Sequence, residues 1–174
     1  MNFERALSAT RWILLAVSLT AVAGVVRAEQ WIVAGRVVGV SDGDTITVLD
    51  AGKAQHVVRL GGIDAPERKQ PFGSAAKEAL SSFVFDRRVE ARCWKRDRYG
   101  REVCSVFVGT RDIGLAMIGD GYAWHYKAFE KEQSVEDRAA YARTEADARS
   151  ARKGLWRDTA PVPPWDWRKE RRSQ

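Results

Sequence analysis

The sequence predicts an α+β fold in which short strands close a small barrel and helices are inserted and appended. Two observations predict it. From Trp31 onward the chain runs as short β-branched and aromatic segments separated by turns rich in Gly and Asp. Later segments instead place apolar residues three and four positions apart, the spacing of a helix face. The 174 residues, 45% hydrophobic and 30% charged, suit one domain with a real core and exclude a disordered chain.

Trp31 to Val40 reads as the first strand and ends in the turn Ser41-Asp42-Gly43-Asp44. Thr45 to Leu49 and Gln55 to Leu60 follow as strands joined by the turn Asp50 to Lys53. Gly61, Gly62 and Pro66 mark a loop. From Ser74 to Val84, Ala76, Ala79, Leu80, Phe83 and Val84 fall at helical spacing. Arg88 to Val108 reads as a hairpin around Asp97-Arg98-Tyr99-Gly100, and five strands of this kind could close a barrel. A short helix is expected from Ile113 to Ile118, stopped by Gly119 and Gly121. Ser134 with Asp137 reads as a capping box, and Val135, Ala139, Ala142 and Ala146 as the apolar face of the last helix. Gly154 is placed to end that helix at positive φ. Pro161, Pro163 and Pro164, with Trp156, Trp165 and Trp167, read as an extended tail pinned to the body by its tryptophans, with residues 169–174 as a basic end.

The first 28 residues read as a separate segment. Arg5 and Arg11 give a basic start, Ile13 to Val26 is an uncharged run of 14 residues, and Val26-Arg27-Ala28 closes it. That is the layout of a signal peptide cleaved after Ala28, and the run falls short of the roughly 20 apolar residues of a spanning helix. The expectation is a secreted or periplasmic protein without stable membrane association; an anchor left by an uncleaved N-terminus is the alternative. The segment holds three arginines against one glutamate, so residues 29–174 retain +4 of the full chain's +6. Positive charge favours anionic partners, nucleic acid foremost.

In an oxidising compartment two cysteines are expected to pair. If Asp97 faces Gly100, residues whose numbers sum to 197 are opposite, and Cys93 and Cys104 meet that condition. Two buried free thiols are the alternative.

Four acidic residues fall in two loops at strand ends: Asp42 and Asp44, then Asp64 and Glu67. Brought together, their like charges call for a cation, and hard oxygen donors suit calcium or magnesium rather than zinc or copper. The alternative is that Ser-Asp-Gly-Asp is simply a turn. Arg59 stands five residues before Asp64, and Arg101 opens the strand after the Asp97 turn. Arginine presents a planar fork matched to phosphate oxygens. A cation, two arginines and a spare carboxylate form a set for phosphodiester hydrolysis. His56 and His125 read as structural or solvent-facing.

The stretches Val40-Ser41-Asp42-Gly43-Asp44-Thr45, Arg59 to Glu67 (RLGGIDAPE) and Asp97-Arg98-Tyr99-Gly100-Arg101 resemble three signature blocks of the staphylococcal nuclease family, in order and at compatible separations. The likeness continues through Gln70-Pro71-Phe72-Gly73, Gly121-Tyr122-Ala123-Trp124 and Gly154-Leu155-Trp156, covering roughly residues 31–168. It implies a five-stranded OB-fold barrel with three α-helices, occupying residues 29–168. It also implies calcium held by Asp44, Asp64 and the Ala65 carbonyl, with Asp42 beside the metal. Glu67 falls at the general base, Arg59 and Arg101 at the phosphate-binding arginines, and Tyr99 at an aromatic near the nucleotide. Tyr126, with Phe129, represents a later tyrosine pair of the family. From the residues alone magnesium is as suitable as calcium. The implied activity is hydrolysis of DNA and RNA to 3′-phosphate ends by a monomer. A non-catalytic nucleic-acid- or protein-binding barrel is the alternative function, and the presence of all five charged positions weighs against it.

Overall fold

The computed structural model describes residues 30–173. The expected signal segment, residues 1–28, and its cleavage point lie outside the described residues.

Strand β1 (Trp31–Val40) is long enough to serve two neighbours. It pairs antiparallel with β2 (Thr45–Asp50) on one side and with β5 (Arg88–Arg96) on the other. β2 pairs in turn with β3 (Gln55–Leu60), and β5 with β6 (Glu102–Val108). The sheet then closes on itself, because Val58, Arg59 and Leu60 of β3 run parallel to Glu102, Val103 and Cys104 of β6. The result is the expected five-stranded barrel. Val33, Gly35 and Val37 of β1, Ile46 and Val48 of β2, and Val58 and Leu60 of β3 face inward at every second position, and the valine, isoleucine and leucine side chains fill the barrel. A bulge between Val37 and Gly39 bends β1 so that both pairings can form.

Two helices complete this core. Helix α1 (Gly73–Val84) buries Ala76, Leu80 and Val84, and α2 (Ile113–Gly119) buries Ile113, Met117 and Ile118. Asp112, in the short strand β7 (Arg111–Asp112), caps α2 by accepting from the Leu115 N–H. Two further short strands, β4 (Ile63–Asp64) and β8 (Trp124–His125), pair with each other.

The cysteine hairpin reaches the expected pairing by an unexpected route. Beside the turn, Arg96 faces Glu102 and Lys95 faces Val103, one residue out of the predicted register. An irregularity at Trp94 restores it, so that Cys93 faces Cys104, and the two form a disulfide.

Helix α3 (Val135–Ser150) begins at the predicted cap, with the Ser134 hydroxyl accepting from the Asp137 N–H at 3.0 Å, which is one of the two bonds of a capping box. Its buried face is different. Tyr141, Glu145 and Ala148 face inward, while Val135, Ala142 and Ala146 are exposed. The polar Glu145 is the reason, since its buried carboxylate accepts the His125 N–H at 3.0 Å and meets Lys127 at 3.3 Å. Gly154 does not end the helix: α3 stops at Ser150 and the positive φ that turns the chain out of it is that of Arg152, 51°, with the Lys153 N–H donating to the Ala148 carbonyl at 3.0 Å. Gly154, at φ 50°, instead lets its main chain lie against that of Gly121, whose carbonyl accepts from Leu155 at 2.8 Å.

The tail is not extended. Residues Pro164–Arg172 form a fourth helix, α4, which crosses the boundary expected at residue 168. Pro164 sits in its first turn, where a fixed φ and a missing N–H do no harm. Asp166 in the first turn and Lys169, Arg171 and Arg172 in the last complement the helix dipole. Trp165 packs edge-on against Trp124, which meets Trp156 in the same way, so the tryptophans do pin the segment to the body. None of the helices in the described residues is long and apolar enough to cross a membrane.

Candidate active site

The barrel's closure builds the site. Arg59 precedes the end of β3, and Arg101 immediately precedes β6, the strand parallel to it. The turn before β2 brings Asp42 and Asp44, the short strand β4 brings Asp64, and the loop beyond brings Glu67. All nine residues singled out from the sequence for metal, catalysis or substrate border one open cleft of about 1140 Å³.

Asp44 and Asp64 form its buried centre, at 7% and 1% exposure. One nitrogen of Arg59, Nη2, lies 3.3 Å from Asp44 Oδ2 and 3.2 Å from Asp64 Oδ1. Burial alone would lower the Arg59 guanidinium, but the charges of Asp44 and Asp64 outweigh it and hold it above its ordinary value. Burial pushes the Asp64 carboxyl above the usual carboxylate value despite the hydrogen bonds it receives from Arg168, and the charge of Asp44 adds to the rise. Asp42, whose Oδ1 accepts the Asp44 N–H at 3.1 Å, is pushed up to about 6 by burial and by Asp44.

This crowding of acids is what a cation relieves. Asp44 and Asp64 are hard oxygen donors, and the Ala65 N–H, 3.4 Å from Asp44 Oδ2, brings the Ala65 main chain alongside. Among the described residues no three His, Cys, Asp or Glu side chains form a closed ligand cage. Two buried carboxylates beside a main-chain segment are donors of the kind a hard divalent cation takes, with water completing its shell.

Arg101 is anchored at the mouth. Its Nε donates to Asp97 Oδ2 at 2.8 Å and its Nη1 to Thr45 Oγ1 at 3.2 Å, while the Thr45 hydroxyl donates to Asp44 at 2.9 Å. Tyr99 is 68% exposed on the same turn, with the Arg98 guanidinium 4.8 Å and the Arg101 guanidinium 5.5 Å from its ring centre. Tyr126 is less free: Trp165 lies stacked on its ring at 5.4 Å, and Phe129 meets it edge-on at 5.2 Å. His56 bridges Asp50 and Glu102, and His125 is buried with Nε2 2.8 Å from Gln133, so both histidines are structural as expected.

Sequence reasoning missed α4's contribution. Arg168 Nη1 donates to Glu67 Oε1 at 2.7 Å, and Arg168 Nη2 to Asp64 Oδ2 at 2.6 Å. The available signal was Trp165, Arg168 and Arg172, spaced as one helical face behind a proline.

Comparison with known proteins agrees with this geometry. An uncharacterized endonuclease of Haemophilus influenzae is 37% identical over 135 residues, covering 78% of this chain and 72% of that protein. Protein ParB of Escherichia coli is 41% identical over 145 residues, covering 78% of this chain and 79% of its own. A probable staphylococcal-like nuclease of Oryza sativa subsp. japonica, CAN2, is 36% identical over 116 residues, covering 67% of this chain but 30% of that protein. Residues 57–158 match the family described as staphylococcal nuclease homologue. With its barrel, its paired arginines and its acidic centre, the chain belongs to the staphylococcal nuclease family and is a nuclease.

Proposed function

We propose that this nuclease is an exported, calcium-dependent enzyme that hydrolyses phosphodiester bonds in DNA and RNA and leaves 3′-phosphate ends. The observation that supports it most is the convergence of Asp44, Asp64, Glu67, Arg59 and Arg101 on one cleft.

In this reading Glu67 takes the proton of the attacking water. Its side chain is 40% exposed, within reach of solvent, and its Oε2 has no protein donor among the described residues. Arg59 and Arg101 hold the phosphate and offset the charge that grows on its oxygens. Arg101 is suited to this, because Nε and Nη1 are anchored to Asp97 and Thr45 while Nη2 has no protein acceptor among the described residues. Asp44, Asp64 and the Ala65 carbonyl would hold calcium, with Asp42 supporting Asp44, and the cation would share Asp64 with Arg59 and Arg168, which meet both of its oxygens; magnesium would suit the same donors. The metal would supply Lewis-acid polarisation of the phosphate. Tyr99 offers an exposed π-face to a base, which accepts any sequence. Export after cleavage behind Ala28, to the periplasm or medium, is supported by the N-terminal pattern and by the disulfide; a monomer is what the family resemblance implies.

The test is digestion of single- and double-stranded DNA and of RNA with calcium, magnesium or chelator, with end-group analysis. Cleavage only with calcium, giving 3′-phosphates, is expected. Glu67→Gln should lower turnover roughly 10²–10⁴-fold without changing the melting temperature. Near-native turnover in that variant would remove Glu67 as the base. N-terminal sequencing of the mature protein should begin at Glu29.

A further inference from the structure

Helix α4 lies beyond the residues matched by the family, 57–158, yet it reaches the charged centre of the cleft. Its Arg168 bridges two carboxylates with a single fork. Nη1 lies 2.7 Å from Glu67 Oε1 and 3.2 Å from Asp64 Oδ1, and Nη2 lies 2.6 Å from Asp64 Oδ2. The same segment grips the Glu67 loop a second time. Val162 O accepts from Gln70 Nε2 at 2.6 Å, and Gln70 Oε1 accepts the Glu67 N–H at 3.1 Å. Trp165, stacked on Tyr126 and edge-on to Trp124, fixes the helix against the barrel.

Glu67 needs such support. The residues after it, Arg68 and Lys69, are exposed, and its own side chain has no other protein partner among the described residues. A long, half-exposed glutamate on a loop samples several rotamers, whereas a reacting group must be held to within about half an ångström. Asp64 is buried and fixed in β4, so a planar fork bonded to both carboxylates transfers that rigidity to Glu67.

We infer that Arg168 is a positioning residue, which sets the Glu67 carboxylate for its work by tying it to Asp64. The inference rests on Glu67 being the base, as proposed above. It makes a segment outside the matched family region part of the working site.

The experiment measures kcat and KM on single-stranded DNA at saturating calcium for the full chain and for Arg168→Ala, Arg168→Lys, Glu67→Gln and the double variant Glu67→Gln/Arg168→Ala. Arg168→Ala is expected to lower kcat at least roughly tenfold with KM changed less than about threefold, the pattern of a misplaced group rather than a lost substrate contact. Arg168→Lys should recover part of kcat, since an ammonium can meet one carboxylate but cannot bridge both with a planar fork. In the Glu67→Gln background, removing Arg168 should change kcat by less than about threefold, as expected for residues acting as one unit. Three results would each overturn the inference: kcat unchanged or raised in Arg168→Ala, a rise in KM alone, or a full tenfold further loss in the Glu67→Gln background. Melting curves accompany each variant; should Arg168→Ala fail to fold, Arg168→Gln, which keeps a donor and the side-chain stem, carries the same comparison. Near-native activity in Glu67→Gln alone identifies a failure of the base assignment, and the inference falls with it.

Discussion

The main chain of Gly73 lies so close to that of Glu67 that a Cβ at Gly73 would stand 2.0 Å from the Glu67 carbonyl oxygen. The first residue of α1 and the loop that presents Glu67 are therefore packed with no room for a methyl group. Helix propensity alone would favour alanine there by up to about 1 kcal/mol. The contact reverses that expectation, because the colliding atom is main chain and cannot turn aside. Gly73→Ala should lower both the melting temperature and the cleavage rate. A higher melting temperature with unchanged activity would show that the loop yields freely.

The disulfide closes a short loop, Cys93 and Cys104 being 11 residues apart, and both cysteines are fully buried. Replacing both with alanine should cost about 2–4 kcal/mol, and thermal denaturation should show it as a fall of roughly 5–15 °C. Cleavage at 25 °C should survive, since neither sulfur belongs to the cleft.

Asp97 anchors the turn that carries Tyr99 and Arg101. Its carboxylate accepts the N–H groups of Tyr99 and Arg101 at 2.9 and 3.0 Å and the Arg101 side chain at 2.8 Å. Burial pushes this carboxyl up, but the hydrogen bonds from Arg101 prevail and hold it below its ordinary 3.8. A lowered carboxyl stabilises the fold fully above that ordinary value and loses its contribution as pH falls through the lower, folded one. Asp97→Asn should therefore be less stable than the native protein at pH 7, by about 1–2 kcal/mol, with the difference shrinking below about pH 4. Urea titrations at pH 7 and pH 3 measure it, and a gap that widens in acid would contradict the assignment.

Glu145 holds β8 to α3 through the His125 N–H, and β8 pairs with Asp64. Glu145→Leu leaves that buried N–H without an acceptor, at about 1–3 kcal/mol, whereas Glu145→Gln keeps one and should cost less. Denaturant midpoints should rank native, Gln, Leu. Activity should follow the same order, because Trp124 of β8 is the partner of Asp64 in the short sheet.

How far the sequence leads depends on the range over which each signal acts. Strands β1 to β3 follow from β-branched runs and turn residues that are local in the chain, and the acidic loops from their place at strand ends. The Cys93–Cys104 pairing is also local, although the predicted register holds only because the irregularity at Trp94 offsets a turn one residue wider than assumed. The face of α3 is misread because a buried carboxylate, Glu145, looks polar to any count of apolar spacing. The helix after Pro164 is obscured because proline marks an extended chain and a helix's first turn equally well. Arg168 lies 101 residues from Glu67, and no periodicity links them; only the packing of tryptophans, which chooses where α4 docks, brings the two together.

The hairpin tip between β5 and β6 has a further consequence. It is exposed, basic and flanked by arginines, which makes Arg98–Tyr99 a natural target for a trypsin-like protease. A cut there would separate Arg59 and Glu67 from Arg101 and Arg168 in the covalent chain. The Cys93–Cys104 bond spans that cut, so the two fragments would stay joined with the cleft assembled between them. Nicking would then convert a bond that only stabilises the intact chain into the tether between two halves of one site, and reduction would become the step that lets them part.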